Sequence, residues 1–550
     1  MTHTVFNQSK DLVDYNSYDA DTALKEAVGR HGAGWAHEEL HAYGALSGSK
    51  EIIQSGYDAN ENPPVLRTHD RHGRRIDVVD YHPSYHENMQ RGLEHGNHAQ
   101  PWTDDRKGAH VARAARYYLH YQVEAGHCCP ITMTFASIPS IQTTPSVAKD
   151  WLPKILHQGY DPRNVPYFEK QSLTIGMGMT EKQGGTDVRA NTTSAVPIGE
   201  NTGPGELYAL TGHKWFTSAP MSDAFLVLAN TSAGLSCFLV PRWRPTGEKN
   251  PIEVQRLKSK VGNVSNASSE IELRDAWGWM LGGDGNGVRT IIEMVAMTRF
   301  DCILGSAAGQ RQAVSQAVNH ALGRAVFGKK LIDQPLMQNV LADLQLEAEG
   351  SLAIAMRMAE ALDKTKHDPN NTYESLLLRL GLPAGKYWVC KRTPFHAYEA
   401  MECLGGNGAI EEFMTARLFR ESPINSIWEG SGNVQALDML RAITKSPEVL
   451  DVWFEELDQS TGASALLDQA TTALKDEFTN LDHAEYRART LVDQLALTMQ
   501  AHLLVQSDNS DVADAFIVSR LARTPDRNYG TLPRGVNINA LLERANPWRQ

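Results

Sequence analysis

The spacing of apolar residues changes twice along the chain, and this limits the possible folds more than any other feature. Between Leu341 and Leu362, apolar side chains recur every three or four residues, which predicts a long amphipathic helix. Residues 205–275 instead contain short β-type runs, such as 224–228 and 237–240, separated by Asn, Thr, Ser and Gly. Helical spacing is found before this block, at 108–119, and again after residue 446. The chain is therefore predicted to be mainly α with a central β domain.

The length of 550 residues predicts several packed domains. We place an N-terminal helical domain at 1–180, a β domain at 181–290, a second helical domain at 291–445 and a C-terminal helical extension at 446–550. A mean hydropathy of −0.38 predicts no membrane-spanning helix. The first residues have neither the basic start nor the apolar stretch of a secretion signal, so we expect a cytoplasmic protein.

One short segment fits a zinc-binding pattern. His37 and His41, with Glu38 after the first, form an HExxH sequence that can place two imidazoles on one helical face. The chain holds 20 histidines, so such a short pattern arises by chance, and no third histidine follows at the usual distance. We interpret the segment as a polar surface helix and expect no metal. The six cysteines include no CxxC pair and are interpreted as free thiols.

Four glycine-containing segments have residue types that suit a flavin nucleotide. In 176–188, Thr180 and Thr186 bracket a Gly-Gly turn whose backbone N–H groups can converge on a polar ligand. The segment 212–218 combines aromatic rings with hydroxyls, which suits a flat aromatic cofactor with polar edges. The segments 324–328 and 404–408 offer a cation, an aromatic ring and glycines for an adenine and a pyrophosphate.

A glutamate in the segment 427–433 is the candidate catalytic base. Glu429 lies between Trp428 and Gly430, where a carboxylate is expected to lose hydration, and this favours a general base. Taken alone, one such glutamate would mean little. Together with the four segments before it, Glu429 indicates proton removal next to a flavin.

In their order and spacing, these segments resemble the acyl-CoA dehydrogenase family over about residues 95–445. The resemblance implies a helical domain, a β-barrel domain and a four-helix-bundle domain, with FAD as cofactor, an acyl-CoA substrate and a homotetrameric assembly. It implies that Glu429 is the base, and that Thr298, which cannot take a proton, occupies the position of the family's alternative base. Phe216 would stack beside the isoalloxazine, Ser218 would bond near flavin N5, and the segment from Arg324 to Gly328 would reach the neighbouring subunit's FAD.

The cofactor-binding residues that the resemblance implies lie in five short stretches of the sequence. They are Met179, Thr180, Gly184, Gly185, Thr186, Phe216, Thr217, Ser218, Arg324, Phe327, Gln334, Gly405, Gly406, Ile427, Trp428, Gly430, Ser431 and Asn433. The sequence departs from the family where a glutamine is usual, because Pro335 stands there and Gln334 comes one residue earlier. A glutamine is also usual before the Gly405-Gly406 pair, where this chain has Glu402.

The strings 179–185 and 426–432, and the extra length at both ends, resemble the family's branch from the bacterial adaptive response to DNA alkylation. That resemblance implies double-stranded DNA as a partner, protection against alkylating agents, and weak dehydrogenation of isovaleryl-type acyl-CoAs.

Residues 445–550 carry 10 Lys and Arg against 16 Asp and Glu, but 520–550 carry six against two. Arginines in that stretch could bind DNA or pair with acidic helices of the same domain. The DNA-binding candidates are Arg441, Arg520, Arg523 and Arg527. The alternative function is that of an ordinary acyl-CoA dehydrogenase acting on short or branched acyl-CoAs.

Overall fold

The computed structural model describes residues 2–507, 509–522, 529, 532 and 535–548. Helices make up most of these residues. In chain order the helices are α1 Thr22–Arg30, α2 His37–Ser47, α3 Lys50–Glu61, α4 Pro83–Glu94, α5 Gln100–Thr103, α6 Ala109–Tyr121, α7 Cys128–Gln142, α8 Pro145–Ile155, α9 Gly287–Gly323, α10 Pro335–His367, α11 Thr372–Glu402, α12 Met414–Glu421, α13 Ile424–Ile427, α14 Gly432–Lys445, α15 Glu448–Asp458, α16 Ala465–Glu477, α17 Ala484–Val505, α18 Ser510–Arg520 and α19 Ile538–Ala545.

The strands are concentrated in the middle of the chain, as the β-type runs predict. They are β1 Val65–His69, β2 Arg75–Asp80, β3 Ile175–Gly178, β4 Ser194–Pro197, β5 Leu207–Ser218, β6 Ala224–Thr231, β7 Gly234–Pro241, β8 Ile252–Leu257, β9 Ser268–Leu281, β10 Ala325–Val326 and β11 Lys329–Lys330. The prediction of a mainly α chain with a central β domain is confirmed.

The chain forms two compact units. The helical unit consists of Met1–Ile53, Asp105–Val123 and Arg299–Gln550, and the β unit consists of Gln54–Asp104 and Glu124–Thr298. These units cut across the predicted segment 1–180, and the extension 446–550 belongs to the same unit as 299–445. Division into four domains therefore stays a prediction.

The β unit contains a closed ring of strands. β6, β4, β5, β9 and β7 pair in that order and β7 pairs again with β6, while β3 joins β6 and β8 joins β9. Aromatic and aliphatic side chains fill the ring, including Tyr208, Phe225 and Phe238. Polar and apolar residues alternate at 269–273, a pattern typical of a half-buried strand, yet only Glu272 of this stretch is not buried, because β9 pairs with both β5 and β8.

In the helical unit, α9, α10 and α11 pack through small apolar residues such as Ala313, Ala317 and Ala400. The helix predicted at 341–362 is α10, which begins at Pro335 and ends at His367. Proline suits the first turn of a helix, where its missing N–H would have no partner in the helix. No helix in the described part of the chain is long and apolar enough to cross a membrane.

The HExxH residues lie on α2 and have separate partners. The His37 ring contacts the Tyr18 hydroxyl, whereas His41 Nδ1 lies 2.9 Å from an Asp19 carboxylate oxygen. This arrangement agrees with the interpretation of a polar surface helix. All six cysteines are free thiols, and five of them are buried.

Candidate functional site

A buried carboxylate holds the loop that follows β3. Glu181 Oε1 accepts hydrogen bonds from Lys214 Nζ at 2.7 Å and from Thr193 Oγ1 at 2.6 Å, and Oε2 accepts the Thr192 amide at 2.7 Å. Burial alone would raise the pKa of Glu181, but the hydrogen bonds from Lys214, Thr192 and Thr193 outweigh it and lower the pKa to about 2. The loop from Met179 to Thr193 is thus anchored at one ionised group.

The same loop is joined to β5 through the backbone. The Trp215 amide donates to the Thr180 carbonyl at 2.8 Å, at a point where the pairing of β5 with β9 is irregular. The sequence segments 176–188 and 212–218, predicted to bind one cofactor, are therefore adjacent. Gly184 pairs with Glu181 across the tight turn, and a Cβ at Gly184 would meet no atom within 4 Å. Thr186, further along the turn, is exposed.

At the end of β5, the side chains of successive residues differ in exposure. Phe216 is 49% exposed, Thr217 is buried, and the partly buried Ser218 hydroxyl lies 3.1 Å from that of Ser268. Thr217 Oγ1 is buried without a hydrogen-bond partner among the described residues. Of the three predicted cofactor contacts here, Phe216 and Ser218 present side chains that a ligand can reach, whereas the side chain of Thr217 points inward.

In the helical unit, the turn between α13 and α14 carries Glu429. Glu429 has φ 57° and Gly430 has φ 97°, so both adopt the left-handed conformation. For a residue other than glycine this costs on the order of 1 kcal/mol or more, and it persists only where the surroundings enforce it. The side chains that enforce it donate hydrogen bonds to the carbonyls of this turn.

Three side chains act on those carbonyls. Arg299 Nε donates to the Glu429 carbonyl at 3.1 Å, and Gln435 Nε2 donates to the Glu429 and Gly430 carbonyls at 3.1 and 2.9 Å. The buried Lys386 ammonium donates to the Gly430 carbonyl at 2.8 Å and to the Asn425 carbonyl at 2.9 Å. We call these three residues the carbonyl clamp.

The residues around Glu429 that were predicted to contact the cofactor differ in exposure. Ile427, Ser431 and Asn433 are exposed, whereas Trp428 is partly buried and its indole N–H donates to Asn425 Oδ1 at 2.9 Å. The position predicted for the alternative base belongs to a buried threonine, Thr298, whose hydroxyl donates to the carbonyl of Val295 at 3.0 Å.

The segment predicted to reach a neighbouring subunit forms a small hairpin, β10–β11. Phe327, at its tip, has φ 51° and is fully exposed. Arg324 Nη1 donates to the Asn7 carbonyl at 2.9 Å, and the Asn7 side-chain amide both donates to and accepts from the backbone of Ala325. Gln334 precedes α10, and its amide donates to the Val326 carbonyl at 3.2 Å, so the glutamine that comes one position early still folds back onto the hairpin.

The second glycine pair, Gly405 and Gly406, is exposed at the end of α11. A Cβ at either position would meet no atom within 4 Å, so internal packing does not require these glycines. Space without side chains suits close approach of a ligand to the backbone. Glu402, which precedes the pair, is exposed.

The arginines predicted to bind DNA have different surroundings. Arg520 Nη2 lies 2.5 Å from Asp343 Oδ1 and its side chain is only 14% exposed, so the prediction of a free phosphate-binding group is wrong for this residue. It pairs with an acidic helix, the alternative considered from the sequence. Arg441 is exposed on α14, and the structure records no ion pair for it within the described ranges. Arg523 and Arg527 lie outside the described residues.

The sequence patterns identified the candidate ligand-facing residues but not the residues that support them. Glu181 and Lys214 stand inside quoted motifs, yet the sequence alone does not show that they form a buried ion pair. Arg299, Lys386 and Gln435 lie on three different helices and converge only through tertiary packing. Asn7 is more than 300 residues away from the hairpin that it contacts.

The residues present in the two units fit FAD in chemical type. The β unit offers an exposed aromatic ring beside a hydroxyl and a turn with free space at Gly184. The helical unit offers an arginine, an exposed aromatic side chain and an open glycine pair. Flat rings, hydroxyls, cations and bare backbone are the groups that an isoalloxazine, an adenine and a pyrophosphate require.

Comparison with known families agrees with this fold. The description "Adaptive response protein AidB N-terminal domain" matches residues 7–162, the acyl-CoA dehydrogenase middle domain matches 176–276, and the acyl-CoA dehydrogenase C-terminal domain matches 285–444. The helical and barrel elements together with these matches define the class, a flavin-dependent acyl-CoA dehydrogenase type of oxidoreductase with FAD as cofactor.

The chain is also similar to individual proteins over most of its length. It is 48% identical over 499 residues to the Escherichia coli K12 protein named "Putative acyl-CoA dehydrogenase AidB", a match that covers 90% of each chain. The chain belongs to the acyl-CoA dehydrogenase family. Among solved structures, Caenorhabditis elegans ACDH-11 in complex with C11-CoA is similar with a TM-score of 0.86 and 25% identity, covering 97% of this chain and 96% of that one.

We predict that the Glu181 anchor supports cofactor binding. Glu181→Gln removes the anion that Lys214 and the loop amides bind, so we expect FAD affinity to fall about tenfold or more, as for one lost charged hydrogen bond of about 1.5–3 kcal/mol. Fluorescence titration of the apoprotein with FAD measures this. Glu200→Gln, an exposed change in a neighbouring loop, serves as the control and should bind FAD like the natural chain.

The same variant has an expected pH signature. Because the folded pKa of Glu181 lies below the value of about 4.3 for an unfolded glutamate, its contribution to stability is present above that value and is lost as pH falls toward 2. The difference in free energy of unfolding between the natural chain and Glu181→Gln should be constant from pH 7 to 5 and narrow at lower pH. A difference that widens on acidification would contradict the assignment.

Proposed function

We propose that Glu429 is the general base of an α,β-dehydrogenation of an acyl thioester. The observation that carries this proposal is the carbonyl clamp, which holds a glutamate in a conformation that glutamate rarely adopts. Strained backbone maintained by several buried donors is typical of functional positions. The ACDH-11 structure with C11-CoA supports an acyl-CoA as the substrate class.

In this proposal the protein's own residues carry out proton removal and positioning. The Glu429 carboxylate takes the α-proton of the thioester, and donors to the thioester oxygen stabilise the enolate-like charge that develops. Phe216 and Ser218 bind the flavin ring by stacking and hydrogen bonding. When bound, FAD supplies the acceptor for the hydride that leaves the β-carbon. We infer weak turnover with isovaleryl-type substrates from the resemblance of the strings 179–185 and 426–432 to the adaptive-response branch of the family.

We also propose a homotetramer in which the β10–β11 hairpin contacts another subunit. The fully exposed aromatic ring of Phe327, at a tip held by Arg324 and Asn7, supports this assembly. The resemblance to the acyl-CoA dehydrogenase family, in which this segment reaches a neighbouring subunit's FAD, is the main support for the assembly.

The role of the base is tested with one isosteric change. Glu429→Gln keeps the size of the side chain and removes the proton acceptor, so the rate of flavin bleaching by isovaleryl-CoA should fall by about 10²- to 10⁴-fold. Anaerobic stopped-flow absorbance measures this rate. Glu412→Gln, at an exposed glutamate on the same unit, should bleach like the natural chain. Bleaching that is unchanged in Glu429→Gln means that another group removes the proton.

A second function, protection of DNA against alkylation through binding of double-stranded DNA, is favoured by two observations. The adaptive-response N-terminal domain matches residues 7–162, and Arg441 is exposed without an ion pair in the described ranges. We propose that Arg441, together with Arg523 and Arg527, contacts phosphates and not base edges. Arg520 and Arg544 take no part, since both pair with buried glutamates or aspartates.

Phosphate contact predicts a particular salt response. Binding of a random-sequence DNA duplex should weaken as salt rises, and Arg441→Met should reduce the slope of log affinity against log salt by about 1 per contact, independently of DNA sequence. A filter-binding salt series measures both. Arg420→Met, at a partly buried arginine already paired with Glu411, is the control with an unchanged slope. Absence of binding at low salt, or binding without a slope, would rule out the DNA proposal.

A further inference from the structure

The C-terminal extension, residues 446–550, contacts the turn that carries Glu429. Its helix α17 packs against α11 and α14. Arg489 Nε of α17 donates to Asn433 Oδ1 at 2.9 Å, and Asn433 is the second residue of α14. Because Asn433 lies four residues after Glu429, this hydrogen bond ties the extension to the beginning of the helix that follows the base.

A second contact lies one helical turn further along α17. Asp493 lies near the Tyr387 hydroxyl of α11, and its charge adds to the rise that burial gives the pKa of Tyr387. Tyr387 is buried and adjoins Lys386 of the carbonyl clamp in sequence. Residues four apart on a helix face the same side, so Arg489 and Asp493 form one edge of α17.

The space between these contacts is filled. A Cβ at Gly432, the first residue of α14, would come within 3.5 Å of Tyr387 Cε2 and 3.2 Å of Lys391 Cδ. Tyr387 and Lys391 therefore line the first residue of α14, two residues after Gly430. Arg489 of α17 contacts the next residue of the same helix, Asn433.

We propose that Arg489 and Asp493 are positioning residues for the catalytic turn, so that the C-terminal extension helps to hold Glu429 in its working conformation. This inference rests on the proposed role of Glu429 as base. It assigns to the extension a role in the dehydrogenation site, separate from any role in DNA binding.

The ionisation of Asp493 gives the inference a distinct signature. Burial raises the pKa of Asp493 to about 6, against the opposing pull of the positive charges on Lys391, Arg392 and Arg489. Burial also raises the pKa of Tyr387 to about 12, so its hydroxyl remains protonated between pH 5 and 8. Above pH 6 Asp493 is therefore an anion near the Tyr387 hydroxyl, and below pH 6 it is a neutral acid.

The contribution of Asp493 to the free energy of unfolding falls as pH rises, whereas the contribution of Glu181 falls as pH decreases. The folded pKa of Asp493 lies above the value of about 3.9 for an unfolded aspartate, so its contribution to stability is complete below pH 4 and is lost as pH rises through 6. Asp493→Asn should therefore fold and be at least as stable as the natural chain at pH 7.5. A loss of function in this variant cannot then be attributed to unfolding.

The experiment uses the FAD-loaded full chain and three variants. Asp493→Asn and Arg489→Met should each slow flavin bleaching by isovaleryl-CoA at pH 7.5 about tenfold, because small misplacements of a catalytic group reduce rates by such factors. Arg487→Met is the matched control. This arginine lies on the same helix but pairs with Glu477 within the extension, and its loss should leave the rate within about twofold.

A second readout needs no substrate. The visible flavin spectrum of the natural chain, titrated from pH 5 to 8, should change with a midpoint near the pKa of about 6 that burial gives Asp493. The change should persist in Glu429→Gln and vanish in Asp493→Asn. A titration that is identical in the natural chain and Asp493→Asn, or bleaching that both α17 variants leave unaltered, would overturn the inference. If Glu429→Gln itself bleaches normally, the proposed base is wrong, while the spectral titration still decides whether α17 acts on the flavin site.

Discussion

The arrangement of the helical unit depends on hydrogen bonds from buried and partly buried cations to backbone carbonyls at one turn. Arg299 donates to the Glu429 carbonyl, Lys386 donates to the next carbonyl, that of Gly430, and Gln435 donates to both. A buried ammonium without such acceptors would cost several kcal/mol, so Lys386 and the turn stabilise one another. The left-handed conformation of Glu429 follows from this arrangement, and so does the direction in which α14 leaves the turn.

The loop after β3 in the β unit is also held by hydrogen bonds to one buried group. Glu181 gathers donors from Lys214 and from two consecutive threonines, and this fixes the loop next to the exposed ring of Phe216. In both units an internal polar group with several partners orders a segment rich in glycine. Glycine permits the tight turns that the segments require but supplies no rigidity of its own, so the rigidity comes from the buried charge.

The sequence predicted the order of the helical and β segments. Apolar spacing identified α10, and short apolar runs bounded by turn residues identified the barrel strands, although α10 and the strands β6 and β7 are buried on both faces. The sequence could not identify the carbonyl clamp or the pairing of Asn7 with Ala325, since these residues meet only in the folded chain. Composition also misjudged Arg520: a cluster of arginines near the C-terminus looks basic until the acidic residues of α10 that neutralise it are known.

The C-terminal extension, residues 446–550, is held to the rest of the helical unit by internal contacts. Its arginines at 520 and 544 tie it to buried acidic groups, and its helix α17 contacts Asn433, just after the turn that carries Glu429. The extension is therefore integral to the helical unit and not an appendage attached only for binding a partner.

The most direct test of the central claim is exchange of the α-protons of isovaleryl-CoA with solvent deuterium, followed by proton NMR with the FAD-loaded chain. A positioned base removes and returns these protons whether or not hydride transfer completes. The natural chain should catalyse exchange at the α-carbon alone, and Glu429→Gln should not. Exchange at equal rates in both proteins would contradict the assignment of Glu429 as the base.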